Sequence, residues 1–287
     1  MTLSSEIIEG REQTGGELMP ELPEMENYKI LLNEKIGRKI ITSVHVNRVK
    51  SVNVTPDLFV ETVKGQRVLK VTRKAKHLLF HLENGRVLLL HLMLGGILFY
   101  GTEEEKPERT IQVQISFGAN HLNFIGLRLG YLHLYMEEEV KDLLSSLGPE
   151  PLESGFTLES FKTLLIKKRG RLKTKLVDQS FISGIGNCYS DEICFDAGVL
   201  PYKNIQDFKE EEISRLYSSI LRILRKAIND GGYMEMPFFK GDTKTGGYNN
   251  LCLVYDRESE KCFKCGSIIK KEMISSRKVF YCPVCQH

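Results

Sequence analysis

Two cysteine knuckles, Cys262-Phe-Lys-Cys265 and Cys282-Pro-Val-Cys285, lie sixteen residues apart near the end of this 287-residue chain. Four thiolates at this spacing can close a tetrahedral zinc site with every position filled by protein, so the ion they imply is structural. The segment between them, "SIIKKEMISSRKVFY", reads as a hairpin that presents Arg277. Cys188, Cys194 and Cys252 fall outside the pattern and receive no role. A second group is Gly184-Ile-Gly-Asn187, a glycine turn before a helical run. It lacks the buried strand and third glycine of a dinucleotide site, so no dinucleotide cofactor is expected. Its backbone amides and Asn187 could instead face a phosphate at a helix N-terminus, or simply form a tight turn. A third is "ELMPELPEMENYK" at 17–29, which places Glu21 and Glu24 at the start of a helix, where acids complement the dipole.

The elements that must carry these groups fall into two textures. From Lys39 to Tyr135 the chain reads as strands: "KIITSVHVNRV", "QRVLKVTR", "HLLFHL", "RVLLLHL", "TIQVQISF", "HLNFI" and "YLHLY", separated by turn signals. Strands at this spacing predict a sandwich or barrel. One helix precedes them, Met25 to Lys35, with Pro23 near its start and Gly37 past its end. After Met136, "EEEVKDLLSSLG", "TLESFKTLLIKK" and "EEEISRLYSSILRILRKAIND" are amphipathic helices. The boundary falls between Tyr135 and Pro151. A less regular stretch, "YMEMPFFKGDTKTGGYNN", then leads to the cysteine tail. The fold class expected is α+β and multidomain.

Charge points to a partner. The net charge is +3, but residues 1–18 carry four glutamates against Arg11, a formal −3, which leaves +6 on the remainder. "KTLLIKKRGRLKTK", from Lys162 to Lys175, holds seven basic residues and no acid, and a second basic cluster lies in the tail. Together they favour a polyanion over a solvated helix face. No apolar run approaches a membrane span. The first eighteen residues lack a basic start and an apolar core, so they are not a signal peptide. Seven cysteines without such a signal predict a reducing, cytoplasmic setting and metal binding rather than disulfides.

These pieces in this order resemble the formamidopyrimidine-DNA glycosylase and endonuclease VIII family of base-excision repair enzymes. The resemblance runs from Met19 to His287 and rests on "MPELPEMENYK", "RKAKHLLF", "DQSFISGIGNCYSDEICFDAGVLP" and the four-cysteine tail. Leu22 and the zinc site place it nearer the formamidopyrimidine branch. It implies a catalytic β-sandwich domain at 19–136, a helix–two-turn–helix domain at 150–250 and a zinc finger at 251–287. It further implies a bacterial monomer acting on damaged double-stranded DNA, with one structural zinc ion as its cofactor.

The resemblance also assigns roles. Pro20 is the N-terminal amine that attacks C1′ of the damaged nucleotide, expels the base and forms an iminium. That cation acidifies the C2′ hydrogen and lets the strand break by elimination. Glu21 assists ring opening and proton transfer, Glu24 helps organise the site, and Lys76 contacts the lesion and its flanking phosphate. Lys168, Lys173, Asn187 and Arg277 grip phosphates. The void left by the flipped base is filled in this branch by Met, Arg and Phe, within HLxM and Arg-x-Phe-Gly. Here "HLML" and "IGLRLG" put Leu94, Leu127 and Leu129 at those positions. Leucine can wedge into a stack but cannot hydrogen-bond the orphaned base, so a preference for cytosine opposite 8-oxoguanine is not implied. A family histidine upstream of "TIQVQISF" is also missing, with Glu108 nearby.

An internal proline cannot form the iminium, because its nitrogen is an amide. Residues 1–18 are therefore expected to be a removable or mis-annotated leader. Thr14-Gly-Gly-Glu17 can be encoded as ACA-GGA-GGT-GAA, a ribosome-binding site just before the Met19 codon, which favours a start at Met19. Two rival readings are a non-catalytic damaged-DNA binder of the same fold and a plain zinc-ribbon nucleic-acid module.

Overall fold

The computed structural model describes residues 19–166 and 168–287; the expected leader, residues 1–18, lies outside the described residues. Helix α1 (Leu22–Ile36) begins three residues before the predicted start. Pro23 occupies its first turn, and the Glu21 N–H donates to the Glu24 carboxylate three residues on, at 2.7 Å.

Eight strands follow: β1 (Ser43–Val46), β2 (Val68–Lys74), β3 (His77–Leu82), β4 (Arg86–His91), β5 (Ile97–Gly101), β6 (Ile111–Phe117), β7 (Asn120–Ile125) and β8 (Tyr131–Met136). They form two antiparallel four-stranded sheets, ordered β1-β6-β7-β5 and β2-β3-β4-β8. The expected sandwich is thus present. Two elements differ from the strands read from sequence. "PDLFVETV" is helix α2 (Pro56–Val63): the Thr55 hydroxyl caps Leu58 N–H, Pro56 pre-sets the first turn, and Phe59 and Val63 bury one helical face. "ILFYG", absent from the strands read from sequence, is β5, buried along its whole length against β7.

The second half is helical: α3 (Glu137–Leu143), α4 (Leu158–Ile166), α5 (Leu172–Leu176), α6 (Asn187–Asp196) and α7 (Glu210–Asn229). The basic run from Lys162 to Lys175 is not one helix. It is broken by Gly170 at φ +105°, a conformation that favours glycine, and divides between α4 and α5. Strands β9 (Lys270–Ile274) and β10 (Arg277–Tyr281) form the predicted hairpin. Ser275 and Ser276 both have positive φ, as a two-residue turn matched to strand twist requires, so Arg277 stands directly beyond the tip.

The sandwich and the helices have separate apolar cores, with one crossing. Met234 and Phe238, from the segment after α7, are buried in the sandwich core. The Tyr100 N–H donates to the Phe238 carbonyl at 2.7 Å, and the Phe238 ring meets Tyr28 edge-on. The less regular stretch of the sequence is therefore a strap that ties the helical half to the sandwich. No helix among the described residues is long and apolar enough to cross a membrane.

Candidate active site and nucleic-acid interface

A cavity of about 280 Å³ opens where α1, the β2–β3 turn, the α6 N-terminus, the strap and the zinc hairpin meet. Glu21, Glu24, Lys76, Leu94, Asn187 and Arg277 line it together, so six residues singled out by sequence are brought to one place from both halves of the chain. Pro20 is buried between exposed Met19 and buried Glu21, both of which line the cavity.

Glu21 is built in from across the cleft. Its carboxylate accepts the backbone N–H groups of Gly186 and Cys188, the latter at 2.9 Å, and so sits on the N-terminus of α6. The amides of the glycine turn, expected to face a phosphate, are taken by this internal anion instead. Gly186 has no space for a side chain: a Cβ there would stand 2.6 Å from the Glu21 carboxyl and the Lys76 ammonium. Gly184, at φ +95°, meets Leu22 as closely, and its carbonyl accepts the Leu22 N–H at 2.9 Å. Gln179 braces the turn through Gly184 N–H and the Ile185 carbonyl.

Burial dominates the electrostatics. It pushes the Glu21 carboxyl up from its ordinary value, against the pull of Lys76 and the two amides. Glu24 is raised to about 7 by burial and then by the neighbouring Glu21 charge, although Tyr189 O–H and Tyr233 N–H both donate to it. Burial lowers the Lys76 ammonium, while Glu21 and Glu24 hold it up. Two carboxyls and an amine with displaced proton affinities thus share one cleft, the arrangement that general acid–base chemistry requires.

Two expected contacts are corrected by the geometry. Lys173 has a side-chain exposure of 0% and donates to Asp191 at 2.7 Å and to the Asn187 carbonyl at 2.9 Å. It therefore touches no phosphate; a buried ammonium needs a paired carboxylate, and Asp191 supplies it. The other Asp191 oxygen accepts the Phe280 N–H, tying α6 to β10. Leu127 is fully buried in the sandwich core and is no wedge. The turn at Gly126 sends Leu127 inward and leaves Leu129 62% exposed at the tip. Lys168 stands apart in the loop after α4, outside the cavity wall. Sequence reading did not single out Tyr233 and Tyr255, which also line the cavity; neither belongs to a short motif with its own chemistry.

The Sγ atoms of Cys262, Cys265, Cys282 and Cys285 lie within 4.8 Å of one another, with pairs at 3.5 and 3.9 Å. Zinc–sulfur bonds near 2.3 Å in a tetrahedron require separations of about 3.8 Å, so the four thiols fit a single zinc ion.

Three family models match in order: the formamidopyrimidine-DNA glycosylase N-terminal domain at residues 19–131, its H2TH domain at 147–237, and the zinc finger found in FPG and IleRS at 259–287. The formamidopyrimidine-DNA glycosylase of Pelotomaculum thermopropionicum is 36% identical, over 93% of this chain and 99% of its own. That of Listeria monocytogenes is 35% identical, over 93% of this chain and 100% of its own. The Lactococcus lactis Fpg, solved in complex with DNA containing an abasic site, superposes with a TM-score of 0.86 at 29% identity, covering 93% of this chain and 99% of that one. The cleft, the four-thiol zinc site and these matches lead to one conclusion: the chain belongs to the formamidopyrimidine-DNA glycosylase family, DNA glycosylases of base-excision repair that carry one structural zinc ion.

Proposed function

We propose that the chain is a bifunctional glycosylase and abasic-site lyase whose nucleophile is the Pro20 nitrogen, freed when the chain begins at Pro20. The observation that carries this reading is the Glu21 carboxylate, buried beside Pro20 and Lys76 and held by the amides of Gly186 and Cys188. Loss of the residues through Met19 leaves a secondary amine where Met19 now lines the cavity. The amine attacks C1′ of a flipped nucleotide; the C1′–N bond breaks and its electron pair leaves with the base, which takes up a proton. The nitrogen gives up its own proton, the ring oxygen is protonated as the sugar opens, and nitrogen and C1′ form the iminium. Loss of the C2′ proton then expels the 3′ phosphate.

Glu21, with its raised proton affinity, suits the proton transfers at the sugar. Glu24 holds the Pro20–Glu21 segment through the Glu21 N–H. Lys76 and Arg277 present positive charge to the lesion and its phosphates, Asn187 offers its exposed amide at the rim, and Lys168 meets the flanking backbone. Half-buried Leu94 and exposed Leu129 are the side chains available to fill the void. The substrates proposed are oxidised bases of the formamidopyrimidine and 8-oxoguanine type in duplex DNA. The domain limits proposed remain 19–136, 150–250 and 251–287, in a cytoplasmic monomer on the nucleoid.

The test is borohydride trapping on a duplex with one abasic site, using the Met19-start protein, the full-length chain and a Pro20→Gly control, each N-terminus checked by intact mass. Trapping by the trimmed Met19 form and not by the full-length chain is expected. No trapping by a correctly trimmed Met19 form would overturn this reading in favour of a non-catalytic damaged-DNA binder.

A further inference from the structure

The strap was singled out by its composition, and the chemistry above uses only its Tyr233 N–H. Its side chain has a place of its own. Tyr233 and Tyr255 both line the cavity, with ring centroids 5.5 Å apart and planes at 87°. Such a pair makes a corner, in which one ring can offer a face and the other an edge to whatever fills the cavity. Both rings are half-buried, so part of each remains available.

The corner is fixed from behind. Tyr233 N–H donates to Glu24 at 2.7 Å, and the next residue, Met234, is clipped on both backbone groups by the Asn249 amide at 2.9 and 2.7 Å. Phe238 then anchors the strap in the sandwich core. Tyr255 is braced by the buried Glu192 carboxylate, which accepts the N–H groups of Leu253, Val254 and Tyr255, and by the Phe280 ring at 5.3 Å. A wall held this firmly is a recognition surface that need not be ordered when a ligand arrives.

We infer that Tyr233, with Tyr255, reads the flipped base as a flat π-surface and is a specificity-determining residue favouring planar lesions over ring-saturated ones. The inference rests on the reading that a flipped nucleotide occupies this cavity. A planar base can lie against one ring with its edge toward the other. A saturated ring such as 5,6-dihydrothymine has out-of-plane hydrogens on two carbons and loses the close parallel contact. Stacking identifies a face and not a hydrogen-bonding edge, so the corner accepts several flat lesions.

The test uses the trimmed protein with Tyr233→Phe and Tyr233→Leu, both of which keep apolar bulk in the wall, with folding checked by thermal midpoint. Single-turnover strand cleavage is measured on duplexes carrying 8-oxoguanine, 5,6-dihydrothymine or an abasic site. Tyr233→Leu should lower the rate on 8-oxoguanine by about tenfold or more, the size of one base–aromatic contact. Its loss on dihydrothymine and on the abasic duplex should be at least five times smaller, and Tyr233→Phe should restore most of the 8-oxoguanine rate. Equal losses on all three substrates, or no loss on 8-oxoguanine, would overturn the inference while leaving the Pro20 chemistry standing. Failure of the unsubstituted protein to cut the abasic duplex would instead remove the reading beneath it.

Discussion

Two cations assigned the same role by sequence are physically different residues. Arg277 is exposed at the hairpin tip, whereas Lys173 is sealed against Asp191. Arg277→Ala should weaken DNA binding uniformly across sequences and reduce the slope of log affinity against log salt by about one. Lys173→Met should leave that slope unchanged but lower stability by about 3–5 kcal/mol, read as a shift in urea midpoint, because it strands the Asp191 charge. Spacing in the sequence could not separate the two; only the packing of α5 against α6 does.

Glu24 gives a pH signature at the same scale. Its folded value of about 7 lies above the ordinary 4.5, so the folded chain holds that proton more tightly than the unfolded chain. The resulting stabilisation is complete below pH 4.5 and is lost as the pH rises toward 7, a change of about 3 kcal/mol. Between pH 5 and 8 the urea midpoint of Glu24→Gln should therefore fall less than that of the unsubstituted protein.

At the scale of elements, the glycine turn before α6 decides whether the site exists. Gly186→Ala would drive a methyl group into Glu21 and Lys76 and shift both by a fraction of an ångström or more. Abasic-site cleavage should fall by about 10²-fold, the usual consequence of misplacing a catalytic group by 1 Å, while circular dichroism stays unchanged. The motif was legible because glycine spacing survives in sequence. Its occupant was not: a carboxylate 165 residues away took the amides expected to meet phosphate.

The sandwich was legible for a related reason, since alternation in "HLLFHL" matches the buried face of β3, whereas in β6 Gln112 and Ser116 are buried as well as Val113, Ile115 and Phe117. Helix α2 is hard to read in the sequence because its apolar residues also suit a strand; the cap at Thr55-Pro56 decides the matter. Strand β5 is buried on both faces and shows no alternation to read. Leu127 and Leu129 were inseparable by sequence, because a single positive φ at Gly126 sends one inward and leaves the other outside.

At the scale of the molecule, the zinc finger packs in a cluster of its own beside the two apolar cores. Stripping the metal with a chelator, or replacing Cys282 with Ser, should release the β9–β10 hairpin and with it Arg277. DNA affinity should fall at least tenfold in an electrophoretic shift assay, about the 1.5–3 kcal/mol of a lost charge-assisted contact. The main thermal transition should persist, because Phe280 and Cys282 pack in a cluster distinct from either core.

The bond between Glu21 and the α6 amides has a consequence in time. A ribosome releases the proline end of the chain first, and Gly186 leaves the exit tunnel 165 residues later. At about 5–20 residues per second, that interval is roughly ten to thirty seconds. Throughout it, on the proposed start at Pro20, Glu21 lacks the Gly186 and Cys188 amides that hold its carboxylate in the folded chain. That carboxylate is fixed in place only once the start of α6 has emerged.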